Sequence, residues 1–490
     1  MSKHHFAGAA ALLLATSPAA WAEIDAQTLW ADWQEMATRF GGTLSVASED
    51  YAGGTLTLTD VTMATNLGGG EGNASYGTIR LIEQGDGTVR VEIPATMSTT
   101  STTTVDGVTV EQTIDMTNEG LETVVREEGG LRTYDTTMQN LTAIVSTETG
   151  EAGGTPAVTI SMSGLASVYR SGIDGDADAF DQTLTADSIG FAMSGEGEGE
   201  QVDLTYALTG IASDLSGNYG EAPDGPVTSF ADMGMTYGGD ISHSGGTFTL
   251  TGEGPQGPFS ANSTSEAGKL TLDLGEDSLG YTIGSTGIDA TVQAPGFPVP
   301  VKMTMAESIV GFALPFGETG VEKPFAVNLE ARDLVLDDAL WGLFDPTGQL
   351  PRDPATLVVD MDGSAVMNVD LFGDPASISK LQGAPGEVKT LKINEILLTL
   401  AGAALRGSGS LDFPKSTKVP EPVGTIELAL DGGFALIDKI VALGFIPAEQ
   451  AAFVKGMAGA VARPVGEDQL ESTIEFTPGG GISANGLPLK

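Results

Sequence analysis

From Gly42 onward the sequence has a period of two, because apolar residues alternate with polar ones and the polar residue is often threonine. Such alternation places one set of side chains on each face of a β-strand, so it predicts strands that are buried on one face only. The pattern is clearest at residues 55–59, 89–93, 108–114, 158–162, 202–208, 247–251, 270–274, 327–329 and 426–430. We therefore expect a mainly β protein.

Glycine-rich turn signals separate these strands at short intervals, and 67 of the 490 residues are glycine. The intervals favour hairpins and meanders over helical crossovers. The sequence therefore predicts an elongated antiparallel β-sheet or sandwich, or a β-groove, with roughly 20 to 30 strands. The turn signals are Asp86-Gly87, Asp106-Gly107, Gly129-Gly130, Gly153-Gly154 and Gly245-Gly246.

A small or acidic residue followed by an apolar one recurs seven times, and we interpret these places as strand ends. The two best-matched copies begin at Gly164 and Gly210. They predict a repeated β unit of about 45 residues; the alternative is that hairpin ends share this composition generally. The seven pairs are Asp60-Val61, Gly120-Leu121, Gly164-Leu165, Gly210-Ile211, Gly287-Ile288, Asp333-Leu334 and Glu395-Ile396.

Helical patterns lie at both ends of the chain. Asp25 is placed to cap a helix over residues 25–40, whose apolar residues recur at spacings of three or four until Gly41-Gly42 ends it. Near the C terminus the sequence predicts a short helix, a helical hairpin and two closing strands. These elements span residues 337–344, then 434–443 and 447–462, then 470–476 and 482–489.

The proline-rich stretch 295–300 is the best candidate for a domain boundary, because proline cannot donate to a β-ladder. It divides the chain after the signal into two β-rich regions. Region 23–295 carries the N-terminal helix, and region 296–490 carries the C-terminal helices.

Residues 1–22 have the features of an export signal. Lys3 supplies a positive charge, residues 6–16 are apolar, and Ala20-Trp21-Ala22 forms a small-x-small cleavage site before Glu23. No later stretch has the ~18 apolar residues of a membrane span, and without cysteine there is no lipoprotein anchor. We expect a soluble periplasmic protein with no transmembrane segment once the signal is removed.

The formal net charge of -44 excludes unassisted nucleic-acid binding, because no basic stripe is present to contact phosphates. It also disfavours nonspecific attraction to anionic lipid headgroups. We interpret the acidic excess as a coat that keeps a β-rich protein in solution.

Residues suited to catalysis are scarce. After the signal is removed His243 is the only histidine, and we expect it in an exposed turn. The chain has no cysteine and no G-x-S-x-G motif. Residues 252–257 match the spelling G-x-G-x-x-G, but Pro255 and Glu253 favour a loop between strands over a dinucleotide site. We therefore predict no catalytic residues, no cofactor and no enzymatic activity.

Asp174, Asp176 and Asp178 have the D-x-D-x-D spacing that opens a calcium loop. An EF-hand is excluded, because Ala179 occupies the glycine position and Thr185 the position of the bidentate glutamate. These three residues are candidates for a weak calcium site, and the alternative is a solvated turn. We predict no other metal ligands.

Three segments resemble the uncharacterised exported bacterial family named domain of unknown function 2125. They are residues 30–34 (WADWQ), 407–413 (GSGSLDF) and the C-terminal run 434–464. The resemblance extends over nearly the whole chain after the signal and implies no catalytic residues. Segment 407–413 is also similar to AsmA-like envelope proteins. That similarity implies an elongated β-rich fold with an apolar groove, although this chain lacks their N-terminal membrane anchor.

These observations leave three functional hypotheses. The first is an exported, non-enzymatic envelope protein that binds or shields an apolar ligand such as a lipid acyl chain in a β-groove. The second is a structural or protein-interaction scaffold with a closed core and no small ligand. The third, a polysaccharide hydrolase, is disfavoured by an aromatic content of only 6%. An apolar face of the sheet that is open to solvent would favour the first hypothesis, and one that is covered by another layer would favour the second. The oligomeric state is unknown.

Overall fold

In a computed structural model, alternating apolar and polar residues form strands along almost the whole described chain. The structure describes residues 24–67, 70–105, 108–149, 157–197, 200–220, 234–275, 277–370, 383–414 and 421–489. The predicted signal 1–22 and the turn signals Asp106-Gly107 and Gly153-Gly154 lie outside these residues. Within them, 27 strands belong to one sheet. The mainly β antiparallel fold is confirmed, as one sheet.

The strands of the N-terminal half are β1 (Gly42–Ser45), β2 (Ser48–Ala52), β3 (Thr55–Leu67), β4 (Gly70–Glu83), β5 (Val89–Glu92), β6 (Thr96–Val105), β7 (Val108–Glu119), β8 (Glu122–Glu128), β9 (Leu131–Thr149), β10 (Ala157–Ser171), β11 (Ala179–Gly197), β12 (Glu200–Asn218) and β13 (Thr236–His243). A single 3-10 turn, Ile173–Gly175, separates β10 from β11.

The remaining strands are β14 (Gly245–Gly254), β15 (Gly257–Ser265), β16 (Ala267–Leu274), β17 (Ser278–Gln293), β18 (Val301–Pro315), β19 (Glu322–Leu336), β20 (Ala355–Met367), β21 (Gly386–Leu400), β22 (Ala403–Asp412), β23 (Val423–Asp431), β24 (Arg463–Gly466), β25 (Gln469–Thr477), β26 (Gly481–Ala484) and β27 (Leu487–Pro488). The described helices are α1 (Ala26–Arg39), α2 (Asp338–Phe344), α3 (Gly433–Ala442) and α4 (Ala448–Val461). All four were predicted, with bounds that agree to within one or two residues.

The sheet is a meander of antiparallel strands that pair with near neighbours along the chain, though not always with the next strand. In several places two short consecutive strands pair with successive parts of the same long neighbour. Thus β12 pairs with β13 through residues 212–218 and with β14 through residues 201–209. In the same way, β15 pairs with β14, while β16 pairs with β13. Because every connection is local, no strand has to cross another.

Left-handed residues interrupt the long strands. The φ angle is 51° at Asp60, 63° at Gly164, 59° at Gly210, 59° at Gly287 and 55° at Asp333. We interpreted these positions as strand ends, and that prediction was wrong, since all five lie inside β3, β10, β12, β17 and β19. Glu395 likewise lies inside β21, and only Gly120, with φ 65°, separates two strands.

These residues line up across neighbouring strands, and we name the row of Gly164, Asp187, Gly210, Ser244, Glu266 and Gly287 the kink line. A Cβ on Gly164 would lie 2.2 Å from an oxygen of Asp187, and one on Gly210 would lie 2.1 Å from the Ser244 hydroxyl. The N–H groups of Ser244 and Glu266 each donate to the carbonyl before the left-handed glycine, at 2.9 Å. Each kink is therefore a left-handed residue that its neighbour accommodates, and the strand register continues across it without a shift.

Each kink also marks a change in the alternation. In β12 the apolar residues Leu204 and Leu208 have even numbers, whereas Ile211 and Leu215 beyond the kink have odd numbers. The alternation therefore reverses at the left-handed Gly210, while the register with β11 continues unshifted from Thr209 to Ile211. The repeat in the sequence therefore marks the places where the alternation changes phase.

Helix α1 covers one end of this apolar face. The Asp25 side chain caps the helix by accepting the Thr28 N–H at 2.7 Å, as predicted. Leu29 and Trp30 are buried against the sheet. Around them the described residues form a buried cluster of Ile24, Ala26, Leu56, Leu58, Val61, Ile79, Leu81, Val89, Val91 and Val125.

Two turn predictions need correction. Gly245-Gly246 is not a hairpin turn, because both residues pair with β12 as part of β14. Residues 482–489 are not one strand but the hairpin β26–β27, whose turn is Asn485-Gly486 with φ angles of 49° and 80°. Two other predictions are confirmed. Gly129-Gly130 joins β8 to β9, and residues 252–257 lie in the β14–β15 hairpin.

The proline-rich stretch 295–300 joins β17 to β18. These strands pair along their length, and the last pair, Val292 with Val301, flanks the stretch directly. The candidate boundary is therefore the turn of a hairpin within the sheet, and the division into regions 23–295 and 296–490 stays a prediction.

Replacing Gly210 with alanine should lower the free energy of unfolding by about 1 to 2 kcal/mol, because a left-handed residue with a Cβ is strained. Asp333→Gly is the matched control at a left-handed position that already has a Cβ, and it should change the stability by less than about 1 kcal/mol. Urea unfolding measures both. Equal losses in the two variants would contradict a specific requirement for glycine.

Leu29→Ala should destabilise the protein by about 2 to 5 kcal/mol. Leu29 lies on the side of α1 that packs against the sheet and is fully buried, so its truncation leaves a cavity. Met36 on the same helix is 37% exposed, and Met36→Ala should cost less than about 1 kcal/mol. Thermal unfolding followed by circular dichroism compares the two. A loss of stability in Leu29→Ala no larger than that in Met36→Ala would show that α1 does not depend on this packing.

Candidate functional site

The side chains on one face of the sheet form continuous apolar rows. Because directly paired residues share a face, the register defines a row that crosses from β13 to β23. The row is Ile241, Leu270, Ile283, Val310, Leu329, Val359, Ile396, Gly407 and Leu428. Eight strand intervals of about 4.8 Å give it a length of roughly 38 Å.

This row is open to solvent. Ile283 is 49% exposed and Val310 38% exposed, and Tyr281 on the next row is 40% exposed. None of the apolar residues in the row is buried. A second sheet packed on this face would bury them, as in a β-sandwich. We name this surface, from β13 to β23, the open apolar face.

The opposite face is polar in β16 and β17, where Thr271 and Thr282 alternate with the apolar residues. The Thr271 hydroxyl donates to Asp240 at 2.7 Å, and Lys269 lies 3.0 Å from the same carboxylate. These bonds, with Thr271 as the larger cause, lower the pKa of Asp240. The two faces of the sheet therefore differ in polarity in this region.

The end of α1 is fastened to the sheet by Arg39. Its guanidinium pairs with Asp178 at 2.6 Å and donates to the carbonyl of Gly220. It also lies 5.7 Å from the centre of the Tyr219 ring. Nothing in the sequence near Arg39 indicates these partners, which lie far along the chain.

A row of aromatic side chains lies where α1 ends. Tyr134 contacts Tyr169 at a ring separation of 5.7 Å, and Phe180 stacks on Tyr219 at 4.6 Å. The Tyr169 and Tyr219 hydroxyls lie 2.6 Å apart. Burial and then this hydrogen bond raise the pKa of Tyr169. The Tyr169 hydroxyl therefore remains protonated at neutral pH.

A cavity of about 290 Å³ lies at another corner of the apolar face, beneath α2 and α3. Leu357 and Leu398, both exposed, lie between this cavity and the row through Val359 and Ile396. Cavity and row therefore belong to one surface. The cavity is lined by Leu334, Val335, Leu336, Trp341, Phe344, Leu350, Arg352, Asp353, Ala355, Leu400, Ala401, Leu436 and Ile440.

Asp345 holds the loop that forms one wall of this cavity. Its side chain is inaccessible to solvent and accepts the N–H groups of Gln349 at 2.9 Å and Leu350 at 2.8 Å. Burial alone would raise the pKa of Asp345, but these hydrogen bonds and one from Thr347 outweigh it and lower the pKa below its ordinary value.

The candidate calcium residues have other partners. Asp178 pairs with Arg39, and Asp176 accepts the amide of Asn218 at 2.9 Å and the N–H of Asp178 at 3.0 Å. The side chain of Asp174 lies outside the described structure. Among the side chains that are described, no group of three or more carboxylates and histidines has the arrangement of a metal site. The weak calcium site stays a prediction.

His243 is not in an exposed turn, so that expectation was wrong. It is the last residue of β13, beside the kink line, and is half-buried. Its Nδ1 lies 3.1 Å from the Gly245 carbonyl oxygen. A Cβ on Gly268 would lie only 2.2 Å from its Nε2, so the ring occupies the space that this glycine leaves free.

The fold and this surface define a mainly β protein with one open apolar face. The chain belongs to the family described as "Uncharacterized protein conserved in bacteria (DUF2125)", whose model matches residues 240–489. This match covers half of the chain rather than nearly all of it. It includes segments 407–413 and 434–464, but not 30–34.

Comparisons with curated proteins and with solved structures found no match. The similarity to AsmA-like proteins therefore stays a prediction. In the part of the chain that the structure describes, no helix has the length and apolar character needed to cross a bilayer.

Asp345→Asn should lower the melting temperature at pH 7, because an amide cannot accept both backbone N–H groups through two oxygens. Since folding lowers the pKa of Asp345, its stabilising effect is complete above the unfolded pKa of about 4 and is lost as the pH falls through the folded value. The difference in melting temperature between wild type and variant should therefore shrink from pH 7 to pH 3. A constant difference would contradict this explanation.

Proposed function

We propose that this chain is an exported, non-enzymatic protein of the bacterial envelope that binds lipid acyl chains on its open apolar face. The observation that carries the proposal is the exposure of Ile283, Tyr281 and Val310 in the middle of a sheet of 27 strands. Exposed apolar patches of this extent are typical of binding surfaces.

The dimensions of the face suit acyl chains. Two apposed acyl layers span ~30 Å in a bilayer, so one chain extends about 15 Å. The row from Ile241 to Leu428 is roughly 38 Å long and can accommodate more than one chain end to end. The cavity beneath α2 and α3 adds an enclosed end.

The chemistry of the face also favours an apolar ligand. Along the row from Ile241 to Leu428 every side chain is aliphatic except at Gly407, and no charged residue interrupts it. Such a surface attracts acyl chains through burial of apolar area and offers no group that would fix a polar substrate.

Export and the absence of catalysis are supported by the sequence. Residues 1–22 match an export signal, which favours the periplasm. His243 is the one histidine after that signal, and no cysteine is present, so the usual nucleophiles and general bases are few.

Ile283→Glu should reduce binding of a fluorescent fatty acid at least about tenfold, because it places a charge in the apolar row. The control is Thr282→Glu, which adds the same charge to the neighbouring residue on the polar face and should change affinity less than about twofold. Titration by fluorescence, with thermal unfolding to check folding, measures both variants.

Mass spectrometry of the protein purified from the envelope provides a second measurement. We expect co-purified lipid and an intact mass that corresponds to cleavage after Ala22. A wild-type protein that carries no lipid and does not bind the fatty acid would refute the proposal and favour a scaffold without a small ligand.

A further inference from the structure

Helix α4 exposes apolar side chains that the sheet does not use. Phe453 is 70% exposed, the largest value among the described large apolar residues, and Met457 is 53% exposed. Val454 on the same side of the helix is also exposed. Only Ala451 of α4 is buried. An α-helix that packs on a domain normally presents its apolar stripe to the core and charged residues to water.

The exposed side of α4 carries little charge. Between Ala448 and Val461 the charged residues are Glu449 and Lys455, and the other exposed positions are small or apolar except for Gln450. Lys455 is turned toward α3, where it pairs with Asp438 at 2.6 Å and lies 5.4 Å from the Phe434 ring. Glu449, in the first turn, is therefore the one exposed charged residue of the helix.

The hairpin differs in charge from the rest of the chain. The protein carries a formal net charge of -44, yet from Gly433 to Val461 basic and acidic residues balance. The basic residues are Lys439 and Lys455, and the acidic residues are Asp438 and Glu449. A zwitterionic headgroup layer thus meets little repulsion at this hairpin.

The hairpin is also continuous with the apolar face. Leu436 and Ile440 of α3 line the cavity with Leu400 of the sheet, and α4 packs on α3. Phe445, in the loop between the two helices, is exposed on the same hairpin. A surface that contacts Phe445 and Phe453 would therefore lie next to the enclosed end of the open apolar face.

We propose that the α3–α4 hairpin is a membrane-docking element that inserts Phe453 and Met457 into the interfacial region of a lipid bilayer. The side chains would enter the boundary between headgroups and acyl chains while the helix lies on the surface. This goes beyond the proposed acyl-chain binding, because docking uses α4 rather than the row through Ile283, and each activity can fail without the other.

The test is flotation of the chain that begins at Glu23 with phosphatidylcholine vesicles. Wild type should float with the vesicles at both low and high salt, because docking depends on apolar burial rather than on charge. The double variant Phe453→Ser, Met457→Ser should reduce the bound fraction at least about tenfold at limiting lipid. Both side chains are exposed, so its melting temperature should match that of wild type.

Val321→Ser is the matched control, because Val321 is an exposed apolar residue in the loop between β18 and β19, and it should leave flotation unchanged. Absence of flotation by wild type, or equal flotation by wild type and the double variant, would overturn the proposal. So would light scattering that shows a dimer which the double variant converts to a monomer, since the helix would then bind a second copy of the chain.

Discussion

The structure depends on keeping the same face of a very long sheet apolar while its strands bend. Side chains alternate strictly along a strand, so a kink that changes the phase of this alternation keeps one face apolar only if the sequence changes phase at the same residue. At Gly210 the sequence does so, and the neighbours Asp187 and Ser244 allow the bend to pass to the next strands. The open apolar face exists because this adjustment is repeated from strand to strand.

An exposed apolar face on a sheet is ordinarily a liability, because such faces associate with one another. Two features oppose association here. The chain carries a formal net charge of -44, so copies of it repel one another at long range. The edge strand β2 contains Glu49 and Asp50, and charged edges resist pairing with another sheet. The face can thus remain available to a ligand without precipitation of the protein.

Much of the fold follows from local sequence signals. Asp25 and Asp337 identified the starts of α1 and α2, since both carboxylates cap the following helix as their positions indicate. The alternating segments all lie in strands. The kinks were misinterpreted because a left-handed glycine has the same appearance in a sequence whether it ends a strand or bends one. The prediction of a turn at Gly245-Gly246 was wrong for a related reason, since these residues pair with β12, which is not the nearest segment in the sequence.

The candidate site was less predictable than the fold. Alternation shows that an apolar face exists, but whether another layer covers it depends on contacts between distant segments. The same is true of Arg39, whose partners Asp178 and Gly220 have no local signature. The neighbouring residue types predicted an exposed His243. Its ring instead lies in the space above Gly268, which is next to His243 only because β13 pairs with β16.

The fastening of α1 by Arg39 has a consequence for the order of folding. Each hairpin of the meander joins strands that are adjacent along the chain, so the sheet can grow from local contacts that form rapidly. Arg39 and the Gly220 carbonyl are separated by 181 residues. The Arg39 end of the helix is therefore fixed only after β12 has joined the sheet, whereas Leu29 and Trp30 pack against residues of β3, β4, β5 and β8, which come earlier in the chain. The first helix can thus dock on the N-terminal strands early and be locked at its C-terminal end late.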